Sequence, residues 1–362
     1  MNLRFLQSSY DISLLKKFYA GKPAVIAAAG PSLDNNLKYL DSVKNNCIIF
    51  SVDTALSALL KYSISPDFVC SVDSQYINYL LIKGLHKNNI SLISTLIANP
   101  NTLEEFKDSP MFFFNTKSAV DNYFYKNGVP LTFAKSGGSV ATSLFSVCRE
   151  LGCNPIIFIG QDLSFSSSKS HSIVTRKLEN NINKINKFST YETNFFYENI
   201  DMIYQKDILD KPVLTSPNLL NFCRWFEIEC ADKKARYINA TGAGIFKNNV
   251  EIIDFKDVCN NILTNNLKKI KFNESAENKI INPKLLKKIV KQMSMELNYL
   301  YEFSDNIEML KKITASSLNE IISMPAQYEL LEYEMHGKNL QRTACKLREV
   351  IWKCRNILLT FS

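Results

Sequence analysis

Three stretches of small residues follow apolar, strand-like runs in this chain: AAAGPSLD ending at Asp34, KSGGSVATS over Lys135–Ser143, and IFIGQDLSF over Ile157–Phe165. In the first, Gly30, Pro31 and Ser32 make a turn whose N–H groups can hold an anion at a helix start, although an ordinary strand-to-helix turn reads the same way. In the second, Ser136, Gly137, Gly138 and Ser139 open a helical pattern, with glycines that admit a ligand close to the backbone and hydroxyls that add donors. The third places Gln161 and Asp162 just past an apolar strand. Asp53, followed by Thr54, and Asp73 each end a Ser-Val-Asp strand. Carboxylates there can accept hydrogen bonds from ribose or sugar hydroxyls, or take a divalent cation such as Mg²⁺; Asp53 could equally cap the next helix. Of three histidines, His171 stands just beyond the third loop, where it could serve as a general base or phosphate partner, or be an ordinary loop histidine. His86 and His336 lie in helical surroundings that suggest no chemistry.

Such loops need a framework of strands that end on one edge. Apolar runs predict strands over Ala24–Ala29, Cys47–Val52, Phe68–Val72, Ser91–Thr95, Met111–Phe114, Pro155–Ile159 and Arg236–Asn239, alternating with amphipathic helices such as Ser139–Leu151 and Asn218–Cys230. The alternation implies an α/β fold with a Rossmann-like, mostly parallel sheet, whose ligands sit outside the C-terminal strand ends. Residues 166–211, rich in Ser, Asn and Lys with interspersed aromatics, break the rhythm as an irregular, lid-like insertion. After residue 272 the strand pattern stops, and Pro283–Phe303, Ile307–Ile322 and Ala326–Leu359 read as helices. The expected division is an N-terminal helical lead (1–22), a nucleotide-sugar-binding α/β domain (23–272) and a C-terminal all-helical domain (273–362), with the acceptor or assembly role falling to the last.

The 362 residues carry a net charge of +8 from lysines spread along the chain, with no basic block. That favours a small anionic partner over nucleic acid. The first loop has neither the lysine of a Walker A motif nor a GxGxxG pattern, which weakens ATP and NAD as ligands. None of the nine cysteines forms a C-x-x-C pair. They read as reduced thiols of a cytoplasmic protein, and no metal site is expected from them. No run of about 18 apolar residues suggests a membrane span, and no signal peptide is evident. A homo-oligomer is compatible with the sequence.

Taken together, AGPSLD (Ala29–Asp34), FSVDTA (Phe50–Ala55), SVDSQ (Ser71–Gln75), SGGSVATS (Ser136–Ser143), GCNPIIFIGQDLSF (Gly152–Phe165) and INATGAGI (Ile238–Ile245) resemble the motility accessory factor (Maf) flagellin glycosyltransferases, a family related to archaeal 6-hydroxymethylpterin diphosphokinases. The resemblance spans roughly two-thirds of the chain. It implies a core similar to bacterial sialyltransferases and transfer of a nonulosonic acid, pseudaminic or legionaminic, from its CMP-activated form to Ser or Thr of flagellin. No cofactor beyond the CMP-sugar donor is then required, although Asp53 and Asp73 leave room for Mg²⁺. Carried onto this chain, the resemblance assigns CMP to Gly30, Pro31, Ser32, Ser136, Gly137, Gly138 and Ser139. Asp53, Thr54 and Asp73 fall to the donor, and a closing loop contains Asp162 and His171; Gln161, read from its place at the crevice edge, joins the binding residues. Maf proteins are commonly longer than this chain. Sialyltransferases also carry a histidine base ahead of the helix that aligns with Asn218–Cys230, where this chain reads PVLTSP. The catalytic base is therefore open among Asp73, Asp162 and His171. A pterin diphosphokinase and a non-catalytic flagellin-binding chaperone are the competing expectations.

Overall fold

The computed structural model describes residues 2–85, 89–166, 169, 171–176, 201–270, 272, 280–281 and 283–304. Within them the chain forms two compact units.

The larger unit spans Ile12–Phe114 and Ala134–Ala276. Its elements, in chain order, are α1 (Ser13–Tyr19), β1 (Ala24–Ala27), α2 (Leu33–Leu40), β2 (Ile48–Val52), α3 (Asp53–Lys61), β3 (Phe68–Ser71), α4 (Tyr76–Ile82), β4 (Ser91–Ser94), α5 (Pro100–Glu105), β5 (Met111–Phe113), α6 (Val140–Glu150), β6 (Ile156–Ile159), β7 (Ile203–Lys206), β8 (Pro212–Thr215), α7 (Pro217–Cys230), β9 (Tyr237–Asn239), β10 (Glu251–Ile252) and α8 (Phe255–Asn261). Strands β1 to β6 and β9 are buried along their whole length, as expected where helices cover both faces of a parallel sheet. Their order is β5-β4-β3-β2-β1-β6-β9-β10, and every pairing among them is parallel.

That order has a switch point. From β1 the chain builds outward through β2 to β5, then returns to place β6 on the other side of β1. Register levels the strand ends: Ala27 pairs with Ser51 on one side and with Ile159 on the other. The loops after β1, β2 and β6 consequently leave the sheet at one edge, and a crevice opens outside the C-terminal strand ends. Behind it, Phe145 of α6 meets Phe158, Phe226, Tyr237 and Trp225 at centroid distances of 5.2–6.1 Å, an aromatic cluster that fixes α6 and α7 against β6 and β9.

The seven strands expected from sequence are present, trimmed by one or two residues. Two differences have a physical reason. Most of the insertion 166–211, expected to be irregular, lies outside the described residues, and its described end contributes β7, which pairs antiparallel with β8. Its alternation of half-buried and exposed residues over four positions is too short to stand out from a polar stretch. Strand β10 has only two exposed residues at the sheet edge, with no apolar run to mark it.

The smaller unit draws on Met1–Asp11, Asn115–Phe133 and Glu277–Ser362. Within it, Asp11 accepts hydrogen bonds from the Thr132 N–H (2.7 Å) and Oγ1 (2.6 Å), and Ile280 N–H donates to the Ser9 carbonyl (3.0 Å), tying the three segments together. The helix expected over Pro283–Phe303 is present as Pro283–Ser304. Those expected over 307–322 and 326–359 lie outside the described residues. The described cysteines are all free, and no helix among the described residues is long and apolar enough to cross a membrane.

Candidate functional site

A cavity of about 330 Å³ occupies the crevice, within the range of small-molecule sites. Of the residues singled out by sequence, Gly30, Asp53, Thr54, Asp73, Gly138, Ser139, Gln161, Asp162 and His171 all line it. They come from five separate segments of chain. Pro31 and Ser32 face a neighbouring cavity instead, while Ser136 and Gly137 line neither. His86 and His336 lie outside the described residues.

The start of α2 does not offer the anion seat that its sequence suggests. Gly30 N–H donates to the Gly160 carbonyl (2.8 Å), and Ser32 N–H and Oγ both donate to the Asp162 carboxylate, Oγ at 2.7 Å. Asp162 is the anion bound at that turn. It is buried, and burial pushes its carboxyl up to about 6 against the opposing effect of the Ser32 bonds.

The start of α6 is built differently. Ser139 Oγ accepts from Thr142 N–H (3.2 Å), while Thr142 Oγ1 accepts from Ser139 N–H (3.1 Å) and Gly137 N–H (3.0 Å), a reciprocal capping box. The first two helical residues, Val140 and Ala141, line the cavity, and helix geometry gives their N–H groups no partner within α6. The glycines before them serve the packing and the backbone of the protein itself. A Cβ on Gly137 would stand 2.5 Å from the Trp225 ring, and Gly138 has φ +92°, which side-chain-bearing residues rarely adopt. Ser136 Oγ accepts from Gly138 N–H (3.3 Å) and Ser143 Oγ (3.0 Å), so it too shapes the loop.

Asp53 sits at the mouth of β2, buried, and accepts from Thr54 N–H (2.7 Å), Thr54 Oγ1 (3.1 Å) and Ser71 Oγ (2.9 Å). Burial lifts its carboxyl to about 6, and the nearby charge of Asp73 adds to the rise. Asp73 itself is exposed at the end of β3. Asp53 and Asp73 supply two carboxylates to one wall, but among the described residues no cluster of three or more metal-type ligands assembles.

His171 reaches the cavity from a pinned backbone. Ser172 N–H donates to the Ala29 carbonyl (2.9 Å), Ser172 Oγ donates to Asp34, Ile173 N–H donates to Asp34 Oδ2 (3.1 Å), and Arg176 N–H donates to Ser57 Oγ (2.9 Å). Sequence reasoning missed Asn78 of α4, Phe222 of α7 and Gly244. The first two line the cavity, and Ile245 N–H, just after Gly244, bonds the Asp162 carbonyl (3.0 Å). Phe222 carries no sequence signal because its helix turns other aromatics to the core; the GAG of INATGAGI was the visible clue to Gly244.

Both raised carboxylates set a pH dependence. Their folded-state pKa lies above the unfolded value, so the native state binds protons that the unfolded chain has released, and their contribution to stability is greatest below about pH 4 and declines as pH climbs through about 6. Asp162→Asn removes that titration while keeping an acceptor oxygen for Ser32. Urea unfolding should show the loss of stability between about pH 4.5 and 7 reduced in this variant by on the order of 1–3 kcal/mol relative to wild type. An unchanged pH slope would mean that Asp162 is ionised in the native state across this range.

Residues 1–168 match the family model described as 6-hydroxymethylpterin diphosphokinase MptE-like. An uncharacterized protein of Treponema pallidum (strain Nichols) is 27% identical over 240 residues, which is 64% of this chain and 41% of that protein. A second from the same organism is 39% identical over 79 residues, 22% of this chain and 37% of its own. The solved Maf glycosyltransferase of Magnetospirillum magneticum AMB-1 aligns over 99% of this chain and 59% of its own, with a TM-score of 0.52 at 11% identity. The chain thus spans less than two-thirds of the length of each of these proteins. At the level of fold the resemblance read from the six motifs holds: this chain has the mixed α/β architecture, built on a large parallel sheet, of that Maf glycosyltransferase.

Proposed function

We propose that the protein is a glycosyltransferase that moves a nonulosonic acid, pseudaminic or legionaminic, from its CMP-activated form to Ser or Thr hydroxyls of flagellin in the cytoplasm. The observation that carries this reading is the cavity outside the C-terminal ends of β1, β2 and β6, in a fold shared with a Maf glycosyltransferase. In this reading the CMP phosphate takes the Val140 and Ala141 N–H groups at the start of α6, where the helix dipole favours negative charge. Asp53, Thr54 and Gln161 line the donor, and the half-buried ring of Phe222 offers it a flat apolar face. The bond from the anomeric carbon to the phosphate oxygen breaks as the acceptor oxygen bonds to that carbon; CMP keeps the bonding electrons, and the acceptor proton goes to a base. We assign the base to His171, which lines the same cavity as Asp73. Asp162, held by Ser32, positions the loop after β6. No cofactor is needed beyond the donor, although the Asp53 and Asp73 wall could admit Mg²⁺.

The MptE-like match over residues 1–168 supports a second reading, a pterin diphosphokinase using ATP and Mg²⁺. Thermal denaturation with CMP, CDP, UDP and Mg-ATP separates the two. CMP at about 100 times its Kd should stabilise the protein by about 2.7 kcal/mol, because it binds only the folded state. Stabilisation by Mg-ATP without CMP would favour the diphosphokinase, and no response to any nucleotide would leave a flagellin-binding chaperone. Mass spectrometry of flagellin after incubation with the donor reads the transfer itself.

A further inference from the structure

Beside the first cavity lies a second of about 450 Å³, between α2, the turn Thr241–Ala243 and the start of α8. Its lining is polar, and its groups differ in how far they are already committed. Both carboxylates are engaged: Asp34 accepts from Ser172 Oγ and Ile173 N–H, and Asp254 accepts from Lys256 N–H (2.8 Å). The two ammonium groups are less so. Lys38 lies over the ring of its neighbour Tyr39 at 5.0 Å, and among the described residues neither Lys38 nor Lys169 forms an ion pair. Asn36, only 5% exposed, donates through Nδ2 to the Ala240 carbonyl (3.1 Å), yet its carboxamide oxygen is buried with no donor. An unmatched buried acceptor of this kind is destabilising unless something in the cavity supplies the hydrogen. In the same lining, no atom stands within 4 Å of where a Cβ on Gly242 would be, so the turn leaves open space.

We propose that this cavity is a second binding site, for a small polyhydroxylated anion such as a sugar phosphate or sugar acid. Lys38 and Lys169 receive the anionic group, and a ligand hydroxyl donates to Asn36 Oδ1. The site is connected to the first cavity through two residues that its lining already holds. Ser32 lines the second cavity and bonds Asp162, which lines the first; Asp34 lines the second and fixes the chain immediately after His171. An occupant is thereby placed to bear on the first site without entering it.

Isothermal titration of the full-length protein with glucose 6-phosphate, glucuronate and inorganic phosphate tests this, and the first two distinguish a phosphate from a carboxylate as the preferred anion. Saturable binding of glucose 6-phosphate or glucuronate is expected, weakened about tenfold or more when Lys38→Ala and Lys169→Ala are combined. Both lysines reach solvent, so this variant should fold. Asn36→Leu should weaken the hydroxylated ligands and leave inorganic phosphate unchanged. CMP affinity, measured in parallel, should be the same in the lysine variant as in wild type, which keeps this result separate from the fate of the proposed transferase reaction. Absence of saturable binding by any of the three probes, equal affinity in the lysine variant, or displacement of the probe by CMP would each overturn the second site.

Discussion

Replacing His171 with Asn is expected to lower nonulosonic acid transfer about 10²–10⁴-fold, the range typical of losing a general base, while CMP affinity changes by no more than about twofold. The expectation combines position and constraint. His171 lines the cavity with Asp73, and the bonds of Ser172 and Ile173 to Ala29 and Asp34 hold its backbone in place. Asn preserves much of the side chain's size and polarity and cannot accept the proton. Steady-state kinetics with donor and flagellin, together with CMP titration, give the two readouts. A rate within about threefold of wild type would transfer the role of base to Asp73, and a proportional loss of CMP binding would make His171 a binding group.

Gly244→Ala is expected to be among the most destabilising single changes available in the larger unit, at about 2–4 kcal/mol. Two effects add at this position. Gly244 has φ +90°, where an alanine is strained by about 1 kcal/mol, and its Cβ would stand 2.5 Å from Asp162 Cα and 2.6 Å from the Asp162 carbonyl carbon. Those are backbone atoms that no rotamer change can move aside, and overpacking of this kind typically costs about 1–3 kcal/mol more. The loop after β6 would have to shift, carrying the Asp162 carboxylate away from Ser32. The matched control is Gly242→Ala, also at positive φ but in open space, which should cost only the backbone part. Urea midpoints for both variants measure the difference. Equal losses would show that the close approach to Asp162 contributes nothing.

Gly242 and Gly244 sit two residues apart in one motif, and the sequence gives them the same weight. Their difference marks where reading the chain alone reaches its end. The strands were legible because each is a short apolar run buried on both faces, and the start of α6 was legible as small residues ahead of an amphipathic run, although its hydroxyls read as ligand donors and turn out to cap the helix. Both are encoded within a few residues, through periodicity, local sterics and side-chain bonds to the nearest N–H groups. That alternation also required the loops bearing Gly30, Asp53, Asp73 and Gln161 to emerge at the C-terminal ends of strands.

The tertiary structure decided which of those loops meet and which groups remain free once they do. Strand order is set by packing between segments far apart in sequence, and only that order brings β6 beside β1 and gathers their loops around the crevice outside the strand ends. The turn of Gly30, Pro31 and Ser32 looks like an anion seat by itself. It is filled by Asp162, 130 residues along the chain, because a buried carboxylate and the N–H and hydroxyl groups of a helix start satisfy each other. The same long-range approach to Asp162 separates Gly244 from Gly242, and no local pattern in INATGAGI could have shown it.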